Sequence, residues 1–264
     1  MSLSNFAVVI VCFLASLLGP LCGIGGGVII KPAVDAMGVL PVATVSFLSG
    51  VSVLTMALAT LAQNAASRTS GVDPRAMLPL ALGSAIGGVA GKVIFNRLSS
   101  ELPSTELVGA SQAAVLIVLT AVVGIYTVNK ARVRSLNVTG AAPKAGIGLL
   151  AGMCWSFLGI GGGPFNLAIL TFFFALETKP AAQSSLFIIA FSQGASLVYS
   201  LVLGGVPVFS AALLTGVCAA AVAGSVVGRR IARRVSGAVI DRLYLGSLAL
   251  IALICAYNFV RFAS

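Results

Sequence analysis

The chain has 264 residues, of which 59% are hydrophobic and 8% are charged, and its formal net charge is +10. Soluble domains contain roughly 25% charged residues, so this chain lacks the polar side chains needed to cover a water-facing surface. These values exclude an ordinary soluble protein. They also argue against nucleic-acid binding, because the basic residues lie between apolar segments, as they do in cytoplasmic loops.

The first half of the chain begins with an apolar segment that glycines interrupt. Residues 6–21 and 28–40 flank the cluster Gly23-Ile24-Gly25-Gly26-Gly27. The segment after the cluster would form roughly 20 Å of helix, which is shorter than a hydrocarbon core of about 30 Å. We therefore predict two short helices here, either as a re-entrant hairpin or as two short crossings. Full transmembrane spans are predicted at 41–63, 76–95 and 107–128.

The same order of elements recurs after a basic linker at residues 129–144. Residues 145–158 and 164–176 flank a second cluster, Gly159-Ile160-Gly161-Gly162-Gly163. Full spans are predicted at 180–203, 208–228 and 243–260.

Short sequence matches also relate the two halves. The stretch Gly87–Lys92 corresponds to Gly224–Arg229, and both contain the Gly-x-x-x-Gly spacing that favours close helix packing. We interpret residues 1–128 and 145–264 as two transmembrane repeats.

The charge distribution indicates how the repeats are oriented. The two most basic loops, 129–144 and 228–242, are both expected in the cytoplasm. An even number of crossings must then separate them, so the broken element at 145–176 crosses either twice or not at all. The sequence thus predicts an all-α polytopic membrane protein built from two inverted repeats, with both termini outside. Each repeat would contain one glycine-broken hairpin and three full spans.

The glycine clusters are the strongest candidate binding elements. Each glycine costs a helix about 1 kcal/mol relative to alanine, and broken backbone at membrane depth persists only inside protein or beside a polar cavity. A helix is predicted to start after each cluster, with Gly163 as the cap and Pro164 as the first helical residue. Helix starts offer free N–H groups to an anion, and paired breaks mark the binding sites of transporters. We expect residues 23–28 and 159–164 to face one cavity and bind a small anion, although tight helix packing is the alternative.

Several side chains near the clusters are further candidates. Neutral donors that could bind an oxyanion are Ser46, Asn166, Gln183 and Ser185, although such residues also bond neighbouring helices together. Lys31 and Asp35 could attract an anion or couple transport to a proton. The alternative is a simple i,i+4 ion pair near the interface, with Lys31 extended towards water.

The sequence offers little for catalysis. It contains no His, no carboxylate cluster and no phosphate-binding loop, so we predict no enzyme, no metal site and no cofactor. The expected partners are a small anionic substrate and the lipid bilayer. An anion channel is the alternative to a secondary transporter.

The paired glycine clusters, each followed by a short apolar segment and a proline-led stretch, resemble the sulfite exporter TauE/SafE family, also called TSUP. The proline-led stretches are Pro41–Ser46 and Pro180–Ser185, and the resemblance covers nearly the whole chain. It implies secondary transport, often outward, of sulfite, sulfoacetate or related organosulfonates across the plasma membrane, which is the inner membrane in bacteria. The residues themselves argue only for a small anion, so a non-sulfur carboxylate stays open as the substrate.

Overall fold

A computed structural model describes residues 3–67, 72–101, 105–130, 132–203 and 206–263. These residues form helices and no strand, which confirms the all-α class. The helices are α1 (Leu3–Cys22), α2 (Gly27–Met37), α3 (Val42–Ala66), α4 (Pro74–Glu101), α5 (Thr105–Asn129), α6 (Ala141–Leu158), α7 (Gly163–Phe174), α8 (Thr178–Val202), α9 (Ala211–Ala232) and α10 (Gly237–Ala263).

Within the described ranges, eight helices are long and apolar enough to cross a membrane, and the two that are not are α2 and α7. The polytopic prediction is therefore confirmed. The prediction of two short helices around each glycine cluster is wrong for the first helix of each pair. Helix α1 has 20 residues and α6 has 18, because each begins several residues before the segment that we assigned to it.

The Gly-x-x-x-Gly segments pack helix backbones directly together, as predicted. A Cβ placed on Gly83, Gly87 or Gly91 of α4 would overlap the backbone of α6. A Cβ on Gly224 or Gly228 of α9 would likewise overlap the backbone of α1. In lipid, such small residues stabilise helix pairs because the backbones approach closely enough to gain dispersion contacts.

Helix α1 runs parallel to α9. Phe13 and Leu17 of α1 contact Gly224 and Gly228 of α9 in that order. Helix α1 ends at Cys22, beside the start of α10.

Helix α2 then runs in the opposite direction to α1, along α10 to its far end. Asn258 donates a hydrogen bond to the Pro32 carbonyl at 2.8 Å. One turn on, Arg261 donates to the Asp35 carbonyl at 2.9 Å. Helices α1 and α2 therefore form a hairpin whose tip is the first glycine cluster.

Helices α6 and α7 form a second hairpin. Helix α6 runs parallel to α4, and the end of α7 returns to the linker that precedes α6. There, the N–H groups of Leu136 and Val138 donate to the carbonyls of Phe172 and Phe173 at 2.9 and 2.7 Å. The second glycine cluster is the tip of this hairpin.

The two hairpins open towards opposite sides of the protein. We call the side that contains residues 132–144 and 229–242 the basic face. The α6–α7 hairpin opens towards the basic face, where the ion pair between Lys130 and Asp241 joins α5 to α10. The α1–α2 hairpin opens away from it, since α2 ends beside Arg261 at the far end of α10.

Helix contacts are matched between the two halves of the chain. Helix α1 packs on α9 as α6 packs on α4, and α3 packs on α9 as α8 packs on α4. Helix α2 lies on α10 as α7 lies on α5. The hairpin tips are consequently surrounded by α3, α8 and each other.

Candidate functional site

The two glycine clusters touch each other in the interior, and we call this contact the glycine junction. All residues of 23–27 and 159–163 are buried. A Cβ on Gly27 would overlap the carbonyl oxygen of Ile160, and a Cβ on Gly163 would lie 3.4 Å from the backbone nitrogen of Gly25. The structure thus brings both predicted breaks together. At these two contacts the backbones of the clusters fill the space between them, so a ligand would enter there only if the clusters moved apart.

The helices after the junction are capped by glycines with positive φ. Gly26 caps α2 with φ 62°, and Gly162 caps α7 with φ 92°. An L side chain in this left-handed region is strained by roughly 1–2 kcal/mol. The cap of α7 is therefore Gly162 and not Gly163, so Pro164 is the second helical residue.

The two helix starts differ in how many N–H groups they leave free. At α2, Gly26 and Gly27 donate to the carbonyls of Ile24 and Gly25. At α7, no backbone carbonyl among the described residues accepts from the N–H groups of 161–163. Unpaired N–H groups at a helix start favour a negative charge nearby, so α7 is the better suited of the two to an anion.

The four neutral candidates lie in different places. Ser185 donates to the Gly23 carbonyl at 3.0 Å, so it holds α8 against the first cluster. Asn166 accepts a hydrogen bond from Trp155 at 2.7 Å, while its buried Nδ2 has no partner. Ser46 lies beside Gly159, and Gln183 lines a cavity on the basic face.

Lys31 and Asp35 form a buried ion pair. Their side chains are only 2% and 5% exposed, and Lys31 Nζ lies 2.7 Å from Asp35 Oδ2. The alternative that Lys31 extends towards water is therefore wrong, because α2 runs through the interior between α3 and α10. Asp35 Oδ1 is buried without a hydrogen-bond partner. The aliphatic part of Lys31 also reaches Gly159, where a Cβ would lie 3.2 Å from Lys31 Cδ.

A cavity of about 280 Å³ leads from the basic face towards the glycine junction, and we call it the basic-face cavity. At its inner end is Ala182, which packs directly on Gly23. Its cationic lining residues are Lys179, Arg229 and Arg233, and none of the described residues that line it is a carboxylate. Thr60, Asn64, Thr178 and Gln183 add neutral polar groups. Charge of one sign concentrated in such a recess attracts small ions of the opposite sign, here anions.

Arg229 is the candidate site residue that the sequence analysis missed, because we assigned it to the basic loop 228–242. It lies near the end of α9, where its Nε donates to Asn64 at 2.7 Å and its Nη2 donates to the Gln63 carbonyl at 2.8 Å. A sequence signal did exist. Lys92 and Arg229 each directly follow the last glycine of a matched Gly-x-x-x-Gly segment, so a cation recurs at one position of both halves.

Comparison with known families and proteins gave one match. A family model described as sulfite exporter TauE/SafE matches residues 8–254. No curated protein and no solved structure matches the chain.

Proposed function

Since the chain belongs to the sulfite exporter TauE/SafE family, whose members are membrane transporters of sulfite-type anions, we propose that it is a secondary transporter that exports a small sulfur-containing oxyanion or organosulfonate. The observation that best supports this proposal is the glycine junction, with a cation-lined cavity leading to it from the basic face. The broken helices of transporters are typically found at such binding sites.

The proposed architecture is a pair of inverted repeats, residues 1–128 and 145–264, joined by the linker 129–144. The matched helix contacts and the opposed openings of the two hairpins support it. We place the protein in the inner membrane of a bacterial cell. Its basic face is turned towards the cytoplasm, because basic loops stay on the cytoplasmic side. The basic-face cavity would then be the inward-open entrance.

The anion enters this cavity and is attracted by Arg229 and Gln183 towards the junction. The glycines of both clusters, Gly23–Gly27 and Gly159–Gly163, let the backbone approach it without Cβ atoms, and Ile24 and Ile160 contribute only their backbone. The unpaired N–H groups of 161–163 become its donors when the junction opens. An inside-negative potential favours outward movement of the anion by about 2.3 kcal/mol per charge per 100 mV.

Transport is tested with the purified full chain in liposomes. We expect labelled sulfite to exchange across the membrane, to saturate with concentration, and to be competed by sulfoacetate more strongly than by acetate. Sulfite should also raise the melting temperature of the detergent-solubilised protein, since a ligand stabilises the state that binds it. Ohmic anion currents would indicate a channel instead, and competition by carboxylates alone would indicate a different substrate class.

Arg229→Gln tests the cavity. We expect the half-saturating sulfite concentration to rise at least tenfold, because the least exposed of the three cations that line the cavity is removed. Arg230→Gln is the matched control, since Arg230 is exposed and does not line the cavity. An equal effect of both variants would show that only surface charge matters.

A further inference from the structure

A second, smaller polar cavity lies on the other side of the glycine junction from the basic-face cavity, and all its lining residues except Leu197 are buried. It lies between α3, α4, the end of α6 and the C-terminal half of α8, and we call it the Lys92 cavity. Its volume is about 20 Å³, close to that of a single water site. Gly159 lines it directly, so it borders the second glycine cluster.

Lys92 brings an uncompensated positive charge to this cavity. The residue is only 8% exposed, and within the described part of the chain no carboxylate lies within ion-pair distance of its ammonium group. The ammonium group lies over the ring of Phe95, whose centroid is 4.9 Å from Nζ. Ionisable groups buried at membrane depth are costly unless they are paired, so an unpaired one indicates a functional role.

The other unsatisfied groups of the Lys92 cavity are also donors. Ser46 Oγ and Gln193 Nε2 are buried without a hydrogen-bond partner. Ser156 and Ser196 are already bonded, since their Oγ atoms lie 2.6 Å apart and Ser196 also donates to the Gly88 carbonyl at 2.9 Å. An ammonium, a hydroxyl and an amide that all lack acceptors match the oxygens of an anion.

The position of Lys92 corresponds to that of Arg229. Each cation directly follows the last glycine of a matched Gly-x-x-x-Gly segment, in α4 and α9 respectively. Arg229 lines the basic-face cavity, and Lys92 lines the smaller cavity on the opposite side. The two cations thus flank the glycine junction from its two sides.

We propose that the Lys92 cavity is a second binding site for a small oxyanion, filled when the protein opens away from the basic face. The anion oxygens are bound there by Lys92, Ser46 and Gln193. This inference rests on the proposed transport function and deepens it, since it assigns the site from which the anion leaves. In the present conformation the cavity is too small for more than a water-sized guest, as expected for the closed side of an alternating-access transporter.

The test compares Lys92→Met with Lys92→Arg in the liposome exchange assay, with sulfite as the probe. We expect Lys92→Met to raise the half-saturating sulfite concentration at least tenfold and Lys92→Arg to raise it no more than threefold. Without sulfite, Lys92→Met should melt at or above the wild-type temperature, because it removes an unpaired buried charge. A merely structural lysine would give the opposite result, a lower melting temperature with unchanged half-saturation.

Ser46→Ala provides a second variant that does not depend on replacing a buried charge. Its hydroxyl has no partner, so we expect an unchanged melting temperature and a threefold or greater rise in half-saturation. Ser111→Ala is the control, because Ser111 bonds only to its own helix at Val108 and should change neither value. Wild-type half-saturation in both Lys92→Met and Ser46→Ala would overturn this inference alone. Absence of sulfite exchange in the wild-type protein would instead overturn the proposed function.

Discussion

Replacing Gly27 by alanine tests the glycine junction, because this residue makes its closest contact. Gly27 has no positive φ, so alanine causes no backbone strain there, and any effect comes from the added methyl group. That Cβ would overlap the Ile160 carbonyl oxygen and lie 2.9 Å from the carbonyl carbon and 2.7 Å from Val53 Cγ2. Real Cβ atoms essentially never approach within 3.0 Å, so the two clusters must move apart by several tenths of an ångström.

The expected size of the effect follows from the cost of overpacking. Extra atoms in a well-packed interior cost about 1–3 kcal/mol. Since 1 kcal/mol lowers the melting temperature of a chain of 150–250 residues by about 2–4 °C, we expect a fall of about 2–12 °C for Gly27→Ala. Sulfite exchange in liposomes should fall at least tenfold, because the hairpin tips no longer meet.

Two other glycines give graded controls for this variant. A Cβ on Gly25 would lie 3.0 Å from Ile189 Cδ1 and 3.3 Å from Val53 Cγ1, and its nearest backbone atom, the Gly161 carbonyl oxygen, would be at an ordinary contact distance of 3.5 Å. Gly25→Ala should therefore have a smaller effect. A Cβ on Gly194 of α8 would have no neighbour within 4 Å, and Gly194→Ala should be neutral or stabilising by up to about 1 kcal/mol. Wild-type melting and exchange in Gly27→Ala would refute the contact between the clusters.

Two further predictions concern buried polar pairs. Asp35→Asn leaves Lys31 buried without a counter-charge and should destabilise the protein by about 3–5 kcal/mol. Adding Lys31→Met to this variant should restore most of the melting temperature. If the double variant does not recover, this interpretation of the ion pair is wrong. Trp155→Phe removes the donor to Asn166 Oδ1 and should lower the free energy of unfolding by about 1–3 kcal/mol. An unchanged melting temperature in thermal unfolding would mean that this hydrogen bond adds no stability.

The sequence by itself determined the class of the protein and most of its segmentation. High hydrophobicity, rare charges and two glycine clusters were enough to predict a polytopic helical membrane protein with two broken elements. The Gly-x-x-x-Gly packing was also predictable, since glycine at that spacing has few other roles in a membrane helix. The full length of α1 and α6 was not, because apolarity does not mark where a helix begins.

Only the tertiary structure decided which polar groups share a cavity. Ser46 and Ser185 hold matching places in the sequence, yet one hydroxyl is unpaired and the other bonds Gly23. The sequence analysis placed Arg229 in a basic loop and gave Lys92 no role, yet both line cavities. The physical reason is that lipid and protein interior are similarly apolar, so the pattern along a membrane helix hardly shows which of its faces is turned inward. That rotation is fixed by contacts between segments more than a hundred residues apart, such as Gly27 against Ile160.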